Sequence, residues 1–583
     1  MTSPSLRAIP LLALPLIAAC ATPQAIRQSS AAGPVEVGII ALNDFHGALE
    51  PPKASIPAPT GDGRTVSVPA GGAAWLASAV DSLKARHANN VVVAAGDLTS
   101  ASQLASSLHL DEPAVGVMNR IGLEFNAVGN HEFDRGPKEL QRLQNGGCEK
   151  NTRLDPCKVE QFGGARYRYL SASTFREDGS TLFPATGIKT FGEGASRVTV
   201  GFVGLSLKSV PTLVSPNQLK GLTFGDEAEA INRAVPALKA QGADAVVVLI
   251  HQGGKTFGQD PNGCTDLTGG IRPILDALNP GVDLVVSGHT HEQYVCEYPA
   301  KDGAASPILL TSAGVYGKVV TDITLTIDPV ANKVIAKKAH NVIVQSEGYS
   351  SGRGDAPNTP LFPQFQPRAD VAQYVASYVH AAADLIARPV GKLSEPVAKG
   401  GTSGTGGPLG NLVADSQLAG SRSAGAQIAF TNPFGLRAPI DPAPDGSVNF
   451  GQVYAVQPFS NELVTMTLTG AQVREVIEDG LDDEGDKQVL AASAGLKFTY
   501  DMRRPSGQRV VSLTLNGRPI DPSAKYRVTA VNFLAEGGDG FATFRKGTDV
   551  VRGMVDNEAF QEWLAAVPVR QVPREERAVR LDS

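Results

Sequence analysis

Between Val35 and about Asp328 one pattern recurs along the chain: an apolar run rich in β-branched residues, a turn containing Gly or Asp, and then a helix-like stretch. Strands that alternate with helices in this way pack as the layers of an α/β fold. The predicted strands are Val35–Leu42, Val91–Ala95, Phe125–Val128, Val198–Gly204, Ala245–Ile250, Leu284–Ser287 and Ile308–Thr311. Because open α/β sheets bind ligands beyond the carboxyl ends of their strands, residues from distant segments are expected to meet there.

The second half of the chain follows a different pattern. Beyond Gly391 the sequence changes to alternating strands such as Leu463–Leu468, with a helix at Ala471–Gly480, which indicates a second domain of α+β character. The segment before it is rich in Ser, Gly, Pro and Asn, and Ala369–Ala387 then has the apolar spacing of a helix. A chain of 583 residues is too long for one hydrophobic core. We therefore expect domains at residues 35–343 and 389–583, joined by a linker and connecting helix at residues 344–388.

The N-terminus has the features of an export signal. Arg7 precedes an apolar stretch, Ile9–Ala19, that is too short to span a bilayer. The sequence Ile17-Ala18-Ala19-Cys20 matches a bacterial lipobox, in which the cysteine is lipidated; the alternative is an ordinary signal peptide cleaved near the same place. We expect a signal peptide at residues 1–19, a lipid-anchor tether at residues 20–34, and an exported protein that is periplasmic or anchored to the outer membrane only through Cys20.

Net charge and cysteine content limit the classes of partner and the cellular compartments that suit this chain. The net charge of -6 argues against a nucleic-acid surface, which needs a basic stripe. Four cysteines remain after Cys20, and an even number in an exported chain favours disulfides. Proximity in the sequence predicts the pairs Cys148–Cys157 and Cys264–Cys296; the alternative is that these cysteines are free and buried.

Side chains that can bind metals follow five of the predicted strands. In Asp44-Phe45-His46 and His289-Thr290-His291, alternate side chains lie on one side of an extended segment, so two ligands can face one ion. The candidate ligands are Asp44, His46, Asp97, Asn130, His251, His289 and His291. One ion rarely needs seven protein ligands, whereas two ions that share a carboxylate take four each. The count predicts a two-metal site, and nitrogen and oxygen ligands without thiolate are compatible with Zn, Mn, Fe or Co.

A pair of ions suits one kind of chemistry. Two ions about 3.5–4 Å apart acidify a bridging water and hold a phosphoryl oxygen, which favours hydrolysis of a phosphate ester by in-line attack. A lone histidine is more often a structural residue, and the histidines in helix-like or loop sequence are interpreted in that way. These are His87, His109, His340 and His380.

The metal motifs resemble the full signature of the calcineurin-like metallophosphoesterases. The segments that carry the resemblance are Asn43–Gly47, Gly96-Asp97, Gly129–Asp134, His251 and Gly288–His291. The second half resembles the 5'-nucleotidase C-terminal domain in the segments Leu409–Asp415, Gln457–Asn461, Asn532-Phe533 and Gly537–Gly540. The two resemblances cover nearly all of the mature chain and point to bacterial 5'-nucleotidases and UDP-sugar hydrolases. They imply a four-layer α/β/β/α sandwich, a connecting helix and a C-terminal α+β substrate-binding domain.

The resemblance also implies a role for each matching residue. One ion is expected at Asp44, His46, Asp97 and His291, and the other at Asp97, Asn130, His251 and His289. His131, oriented by Asp134, is expected to stabilise the transition state or to protonate the leaving alkoxide. An adjacent carboxylate favours the charged imidazolium that such a step needs.

In the second domain the resemblance implies a substrate site with two departures from the family pattern. Phe459 and Phe533 match the rings that clamp a nucleobase, unless they are core residues, and Asp539 matches the ribose contact. Asn461, Asn432 and Arg437 complete the expected site, and Arg437 can hold a phosphate with two hydrogen bonds. Pro433 and Phe434 replace two glycines of the family loop, and no arginine precedes Gly410 where nucleotidases usually carry one.

Three functions remain open at the level of sequence. The first is an exported two-metal hydrolase, expected to be monomeric, that releases phosphate from nucleoside monophosphates. The second keeps the metals and changes the substrate to a nucleotide sugar, a cyclic phosphodiester or another small phosphate ester. The third is a surface lipoprotein that binds nucleotides without turnover.

Overall fold

Two six-stranded mixed sheets form the centre of the first half of the chain. The computed structural model describes residues 1, 33–299, 306–351, 354–400, 404–481 and 488–582. The first sheet has the strand order Lys333–Ile343, Val319–Asp328, Val35–Leu42, Asn90–Ala94, Leu123–Ala127 and Arg168–Leu170. The second has the order Gln293–Tyr298, Ile308–Ala313, Leu284–Ser287, Ala245–Ile250, Val198–Leu205 and Thr186–Phe191.

The two sheets face each other and are covered by helices on their outer faces. Alternate residues of a strand point to opposite faces, and in Val35–Leu42 the side chain of Ile39 packs between the sheets while that of Ile40 packs under the helices. Both faces are therefore buried, which explains why these strands are continuous apolar runs. The helices of this half are Ala73–Lys84, Leu104–Ser107, Glu112–Ile121, Gly136–Asn145, Val210–Leu213, Glu227–Ala240 and Ile271–Ala277. The predicted α/β/β/α sandwich is confirmed.

The strand predictions hold, but the pattern missed five strands of these sheets. Each of the seven predicted strands is present, and three of them have the predicted bounds. The antiparallel pair Val319–Asp328 and Lys333–Ile343 was not recognised because alternating polar residues interrupt its apolar runs. His340, which was interpreted as part of helix-like or loop sequence, lies in the second strand of this pair. The other three are the edge strands Arg168–Leu170, Thr186–Phe191 and Gln293–Tyr298.

Smaller hairpins and the connecting helix complete the link between the halves. The helix Ala369–Ala387 has the predicted bounds and buries Val371, Tyr374 and Tyr378 against the helices of the first half. The two-stranded sheets are Ser55–Pro59 with Thr65–Pro69, Thr174–Arg176 with Leu222–Phe224, Lys255–Phe257 with Thr265–Thr268, Tyr349–Ser351 with Gly354–Ala356, and Pro389–Lys392 with Ser447–Asn449.

The C-terminal half contains two further sheets around a shared core. The five-stranded sheet has the order Ala491–Ala492, Ile428–Thr431, Lys525–Val531, Glu462–Thr469 and Thr548–Val555. The four-stranded sheet has the order Arg518–Pro519, Val510–Leu515, Leu496–Tyr500 and Ala578–Arg580. The helices are Gly407–Gly420, Phe450–Val456, Gly470–Asp479, Asn532–Ala535 and Asp556–Ala565. The prediction of α+β character is confirmed.

Both predicted disulfides are present. Cys148 is bonded to Cys157 and Cys264 to Cys296. The predicted signal peptide, its lipidation site Cys20 and almost all of the predicted tether lie outside the described residues. Within the described residues, no helix combines the length and the apolar character that crossing a membrane requires.

Candidate metal centre and substrate cleft

The carboxyl ends of five strands bring the predicted metal ligands together. Asp44 and His46 follow Val35–Leu42, Asp97 follows Asn90–Ala94, and Asn130 follows Leu123–Ala127 in the first sheet. His251 follows Ala245–Ile250 and the pair His289 and His291 follows Leu284–Ser287 in the second sheet. Since the two sheets face each other, their strand ends deliver donors to one point from opposite sides.

The donors form two groups that each could hold one ion. Asp44, His46 and His291 form the first group, with 3.3 Å between the two imidazole Nε2 atoms and 3.4 Å from His291 Nε2 to Asp44 Oδ1. Asp97, His251 and His289 form the second, and Asn130 Oδ1 lies 3.1 Å from His251 Nε2. Within each group of three the ligand atoms lie within 4.8 Å of one another.

Asp97 lies between the two groups. Its Oδ2 atom is 2.9 Å from His251 Nε2 in the second group and 3.8 Å from His46 Nε2 in the first. A single carboxylate in this position can contact both ions. The other carboxylate oxygen, Oδ1, accepts a hydrogen bond from the backbone N–H of His131 at 2.9 Å, which fixes the rotamer.

The charge of the cluster fits divalent cations. Asp44 and Asp97 are 0% and 1% exposed, and neither has a Lys or Arg partner within the described part of the chain. Burial opposes ionisation of Asp44, but the hydrogen bond from His291 and the charge of His251 outweigh it, so its pKa is lowered. Burial likewise disfavours protonation of His251, but Asp97 outweighs it and raises the pKa of His251 to about 10. Buried carboxylates need a compensating cation, and oxygen with imidazole donors suits a divalent metal.

Backbone carbonyls orient the two innermost histidines. His46 Nδ1 donates to the carbonyl of Ser100 at 2.9 Å, and His251 Nδ1 donates to that of Ala95 at 2.7 Å. Each bond directs Nε2 towards the cluster, which is the ring orientation usual for metal-bound histidine.

The turns that carry these residues have an uncommon backbone conformation. Five of the seven candidate ligands have φ in the left-handed region, between 47° and 72°: Asp44, His46, Asp97, His289 and His291. Such conformations are costly for residues with a side chain and concentrate at functional sites. Glycine is required beside them, because a Cβ atom on Gly129 would lie 2.1 Å from Asp97 Oδ1.

Glu132 supports this arrangement, and sequence reasoning assigned it no role. Its carboxylate accepts hydrogen bonds from the backbone N–H groups of Asp97 at 2.9 Å, Leu98 at 2.8 Å and Gly129 at 2.7 Å. The side chain thus ties two ligand-bearing turns together. Its place inside the segment Gly129–Asp134 was the available signal.

His131 lies at the edge of the cluster and is oriented by Asp134 as predicted. His131 Nδ1 is 2.8 Å from Asp134 Oδ2, which leaves Nε2 directed away from that carboxylate. Burial alone would lower the pKa of His131, but the carboxylates of Asp134 and Asp97 outweigh it and raise the pKa above its usual value. The charged imidazolium is therefore favoured, as a proton donor requires.

The C-terminal half closes over the cluster and forms a cleft. The Arg437 guanidinium Nη2 lies 3.4 Å from His46 Nε2 and pairs with no carboxylate in the described part of the chain. Phe459 stacks on His131 with 5.7 Å between ring centroids and 18° between planes. The guanidinium carbon of Arg437 lies 5.9 Å from the centroid of the same Phe459 ring. An aromatic ring, a cation and a proton donor from different halves therefore meet beside the donor cluster.

The remaining predicted substrate residues also line the cleft. Phe533, Asn461, Asn432 and Asp539 all face it. Asn432 Nδ2 donates to Asp539 Oδ2 at 2.9 Å, so the predicted ribose ligand also holds the loop that leads to Arg437. Phe533 and Phe459 are half-buried, as expected of rings that present one face to a ligand.

One residue of the cleft lining and one buried residue that supports it were missed. Lys399 lines the cleft and donates from Nζ to the carbonyl of Pro433 at 3.2 Å. Gln488 is buried, and its Nε2 donates to Asp539 Oδ2 at 2.5 Å. Lys399 immediately precedes the glycine-rich segment in which a phosphate-binding arginine is missing, and this position was the only signal. Gln488 had none in the sequence.

Comparison with known proteins agrees with this geometry. The family model of the calcineurin-like phosphoesterases matches residues 38–293, and that of the 5'-nucleotidase C-terminal domain matches residues 389–546. An endonuclease of Bacillus subtilis is 27% identical over 510 residues, which are 87% of this chain and 38% of the relative. The NAD 5'-nucleotidase of Haemophilus influenzae is 24% identical over 88% of this chain and 86% of its own length. The 5'-nucleotidase precursor of Thermus thermophilus superposes with a TM-score of 0.71 at 25% identity, over 94% of this chain and all of that one.

The fold and the donor cluster define a metal-dependent phosphoric ester hydrolase with sites for two divalent ions. The chain belongs to the family of 5'-nucleotidases, which join a calcineurin-like phosphoesterase domain to a 5'-nucleotidase C-terminal domain.

The position of Asp97 generates a prediction about metal content. Asp97→Ala is expected to lower the number of ions bound per chain more than His291→Ala, because Asp97 is near donors of both groups and His291 belongs to one. Elemental analysis of dialysed protein measures this directly, and Asp178→Ala in an exposed turn is the matched control. Two tightly bound ions in the Asp97→Ala protein would contradict a bridging role.

The position of His131 generates a prediction about leaving groups. His131→Ala is expected to keep both ions, because only the backbone N–H of His131 contacts Asp97. Turnover of alkyl phosphates should fall by about 10²–10⁴-fold, the usual contribution of a general acid, and that of 4-nitrophenyl phosphate much less, since nitrophenolate leaves without a proton. Parallel losses on both esters would argue against the role of proton donor.

Proposed function

We propose that this protein is an exported enzyme that releases phosphate from nucleoside 5'-monophosphates. The observation that carries the proposal is the meeting of Arg437, Phe459 and His131 at the edge of the donor cluster. A nucleotide has the matching parts in the same order: an anionic phosphoryl group, an ester oxygen that must be protonated, and a flat base.

Each side chain has a defined task in this proposal. Asp44, His46 and His291 would hold one ion, His251, His289 and Asn130 would hold the other, and Asp97 is placed to serve both. When bound, the ions supply Lewis acidity, which polarises a phosphoryl oxygen and offsets the charge that develops in the transition state. Arg437 binds the remaining phosphoryl oxygens, as guanidinium groups do with two parallel hydrogen bonds.

Residues of the cleft walls transfer the proton and bind the nucleoside. His131 gives the proton on Nε2 to the leaving alkoxide oxygen while Asp134 holds Nδ1. Phe459 and Phe533 hold the base between them, and Asp539 and Asn461 contact the sugar. Stacking depends little on which base is present, so a broad base preference follows.

Export and a lipid anchor on Cys20 are part of the same proposal. The two disulfides support an oxidising compartment, because such bonds are rare in reducing ones. Residues from both halves of one chain line the substrate cleft. The cleft is therefore complete within one chain, which supports a monomer. Mass spectrometry of the mature N-terminus distinguishes a diacylated Cys20 from an unmodified chain cleaved nearby.

A second substrate class is supported by the size of the cleft and by Lys399. The cleft measures about 1900 Å³, whereas pockets for small ligands are typically about 300–1,000 Å³. A nucleotide sugar or a cyclic phosphodiester would fit, and Lys399 would offer a cation for a second phosphoryl group. Binding without turnover is disfavoured, because a pure binder has no use for the oriented pair His131 and Asp134.

The decisive experiment is a release assay on metal-stripped protein. AMP, UMP, UDP-glucose, 2',3'-cyclic AMP and a bis-aryl phosphodiester are each supplied with Mn, Zn, Co or Mg. Preferential hydrolysis of AMP and UMP supports the proposal. Preference for UDP-glucose or the cyclic ester replaces it with the second class, and the absence of turnover on any ester would favour a binding protein.

The aromatic rings give a prediction that separates nucleoside recognition from catalysis. Phe533→Ala is expected to weaken nucleotide use by about 1–3 kcal/mol, the usual contribution of one stacked base, and to leave a small aryl phosphate unaffected. Phe459→Ala should do the same to nucleotides, with an added effect on the aryl ester because this ring also packs on His131. If Phe533→Ala reduces both substrates in parallel, the ring is structural and the nucleotide assignment fails.

A further inference from the structure

Phe434 is an exposed aromatic side chain inside the substrate cleft. It is 45% exposed and lines the cleft, whereas the other large apolar side chains that are exposed in the described part of the chain lie outside the cleft lining. Its ring makes no ring–ring contact with Phe459, Phe533 or any other aromatic side chain that the structure describes. An apolar ring that is kept open to solvent in a binding cleft is a feature of ligand sites.

The loop that carries Phe434 is held from three sides. The backbone N–H of Phe434 donates to Gln488 Oε1 at 2.7 Å, and Lys399 Nζ donates to the carbonyl of Pro433 at 3.2 Å. Asn432 Nδ2 donates to Asp539 Oδ2 at 2.9 Å, and Gln488 Nε2 donates to the same oxygen at 2.5 Å. These contacts use backbone atoms of Pro433 and Phe434, so they fix the position of the ring without covering it.

Phe434 and Arg437 line the same cleft and are carried by the same loop. Phe434 precedes Arg437 by three residues, so their Cα atoms are at most about 11 Å apart. Arg437 in turn reaches to 3.4 Å from His46 Nε2. The ring of Phe434 therefore belongs to the same cleft lining as the guanidinium of Arg437.

We propose that Phe434 determines specificity by contacting the organic group attached to the ester oxygen of the substrate. It favours phosphate esters in which this group is flat or apolar. The proposal rests on the proposed phosphohydrolase activity but not on a nucleotide being the substrate. Covering the exposed ring removes apolar surface from water, and an aromatic partner adds a favourable ring–ring contact.

The test compares phosphate monoesters that differ in the organic group attached to the ester oxygen. Initial rates give kcat and KM for phenyl phosphate, cyclohexyl phosphate and glycerol 2-phosphate with wild-type, Phe434→Ala and Phe434→Leu proteins. Each variant is divided by wild type on the same ester, so differences in leaving-group reactivity cancel. Both variants keep the backbone bond to Gln488. The matched control is Phe257→Ala, an 80% exposed ring outside the cleft lining.

The expected result is a rise in KM of about five- to tenfold for phenyl phosphate in Phe434→Ala, with kcat and the glycerol 2-phosphate KM unchanged. Phe434→Leu should keep the KM for cyclohexyl phosphate but not for phenyl phosphate. Phe257→Ala should leave all three esters as in wild type, and metal content should be equal in all four proteins.

Other outcomes overturn the proposal. An unchanged KM for phenyl phosphate shows that the ring does not touch the ester group, and an equal loss on all three esters shows that the ring only supports the loop of Arg437. The result is independent of the nucleotide assignment: if AMP is not hydrolysed, that assignment fails, while the three simple esters still test Phe434.

Discussion

The structure of the site depends on two buried carboxylates, those of Asp44 and Asp97. They lie among imidazole rings at the place where the strand ends of the two sheets meet. Buried negative charge is tolerated only with nearby compensation, and here the compensation must come from segments that are up to 247 residues apart in sequence, from Asp44 to His291. The facing sheets make this possible because their strand ends point to one place. The left-handed turns and the missing side chain of Gly129 follow from the same crowding.

The two halves of the chain contribute different parts of the site. The first half holds the donor cluster and the pair His131 and Asp134 on rigid strand ends. The second half contributes Arg437 and Phe459, which contact residues of that site directly. A site assembled in this way can keep its donor cluster while the second half varies, since the loop before Arg437 supplies none of the grouped donors.

The loop before Arg437 departs from the family pattern. Its contacts with Lys399 and Gln488 explain how the loop is held in place despite this departure. Pro433 and Phe434 occupy positions where the family pattern has glycines. Lys399 donates a hydrogen bond to the backbone carbonyl of Pro433, and the backbone N–H of Phe434 donates one to Gln488. Because the loop is held through its backbone, its side chains can vary without loss of its position.

Much of the fold could be predicted from the sequence, because burial on both faces of a strand leaves a local and continuous apolar signal. The strands Val35–Leu42 and Ala245–Ile250 have the predicted bounds for this reason. The helix Ala369–Ala387 has the predicted bounds because its apolar residues follow helical spacing. The strand pair Val319–Asp328 and Lys333–Ile343 was missed because polar residues alternate with its apolar residues and break that signal. The motifs at the strand ends likewise marked the candidate donors by residue type and spacing. Only the tertiary structure decided that Asp97 stands between both groups, that Phe459 packs on His131, and that Gln488 holds the loop of Phe434, because these contacts join segments whose separation leaves no periodic trace in the sequence.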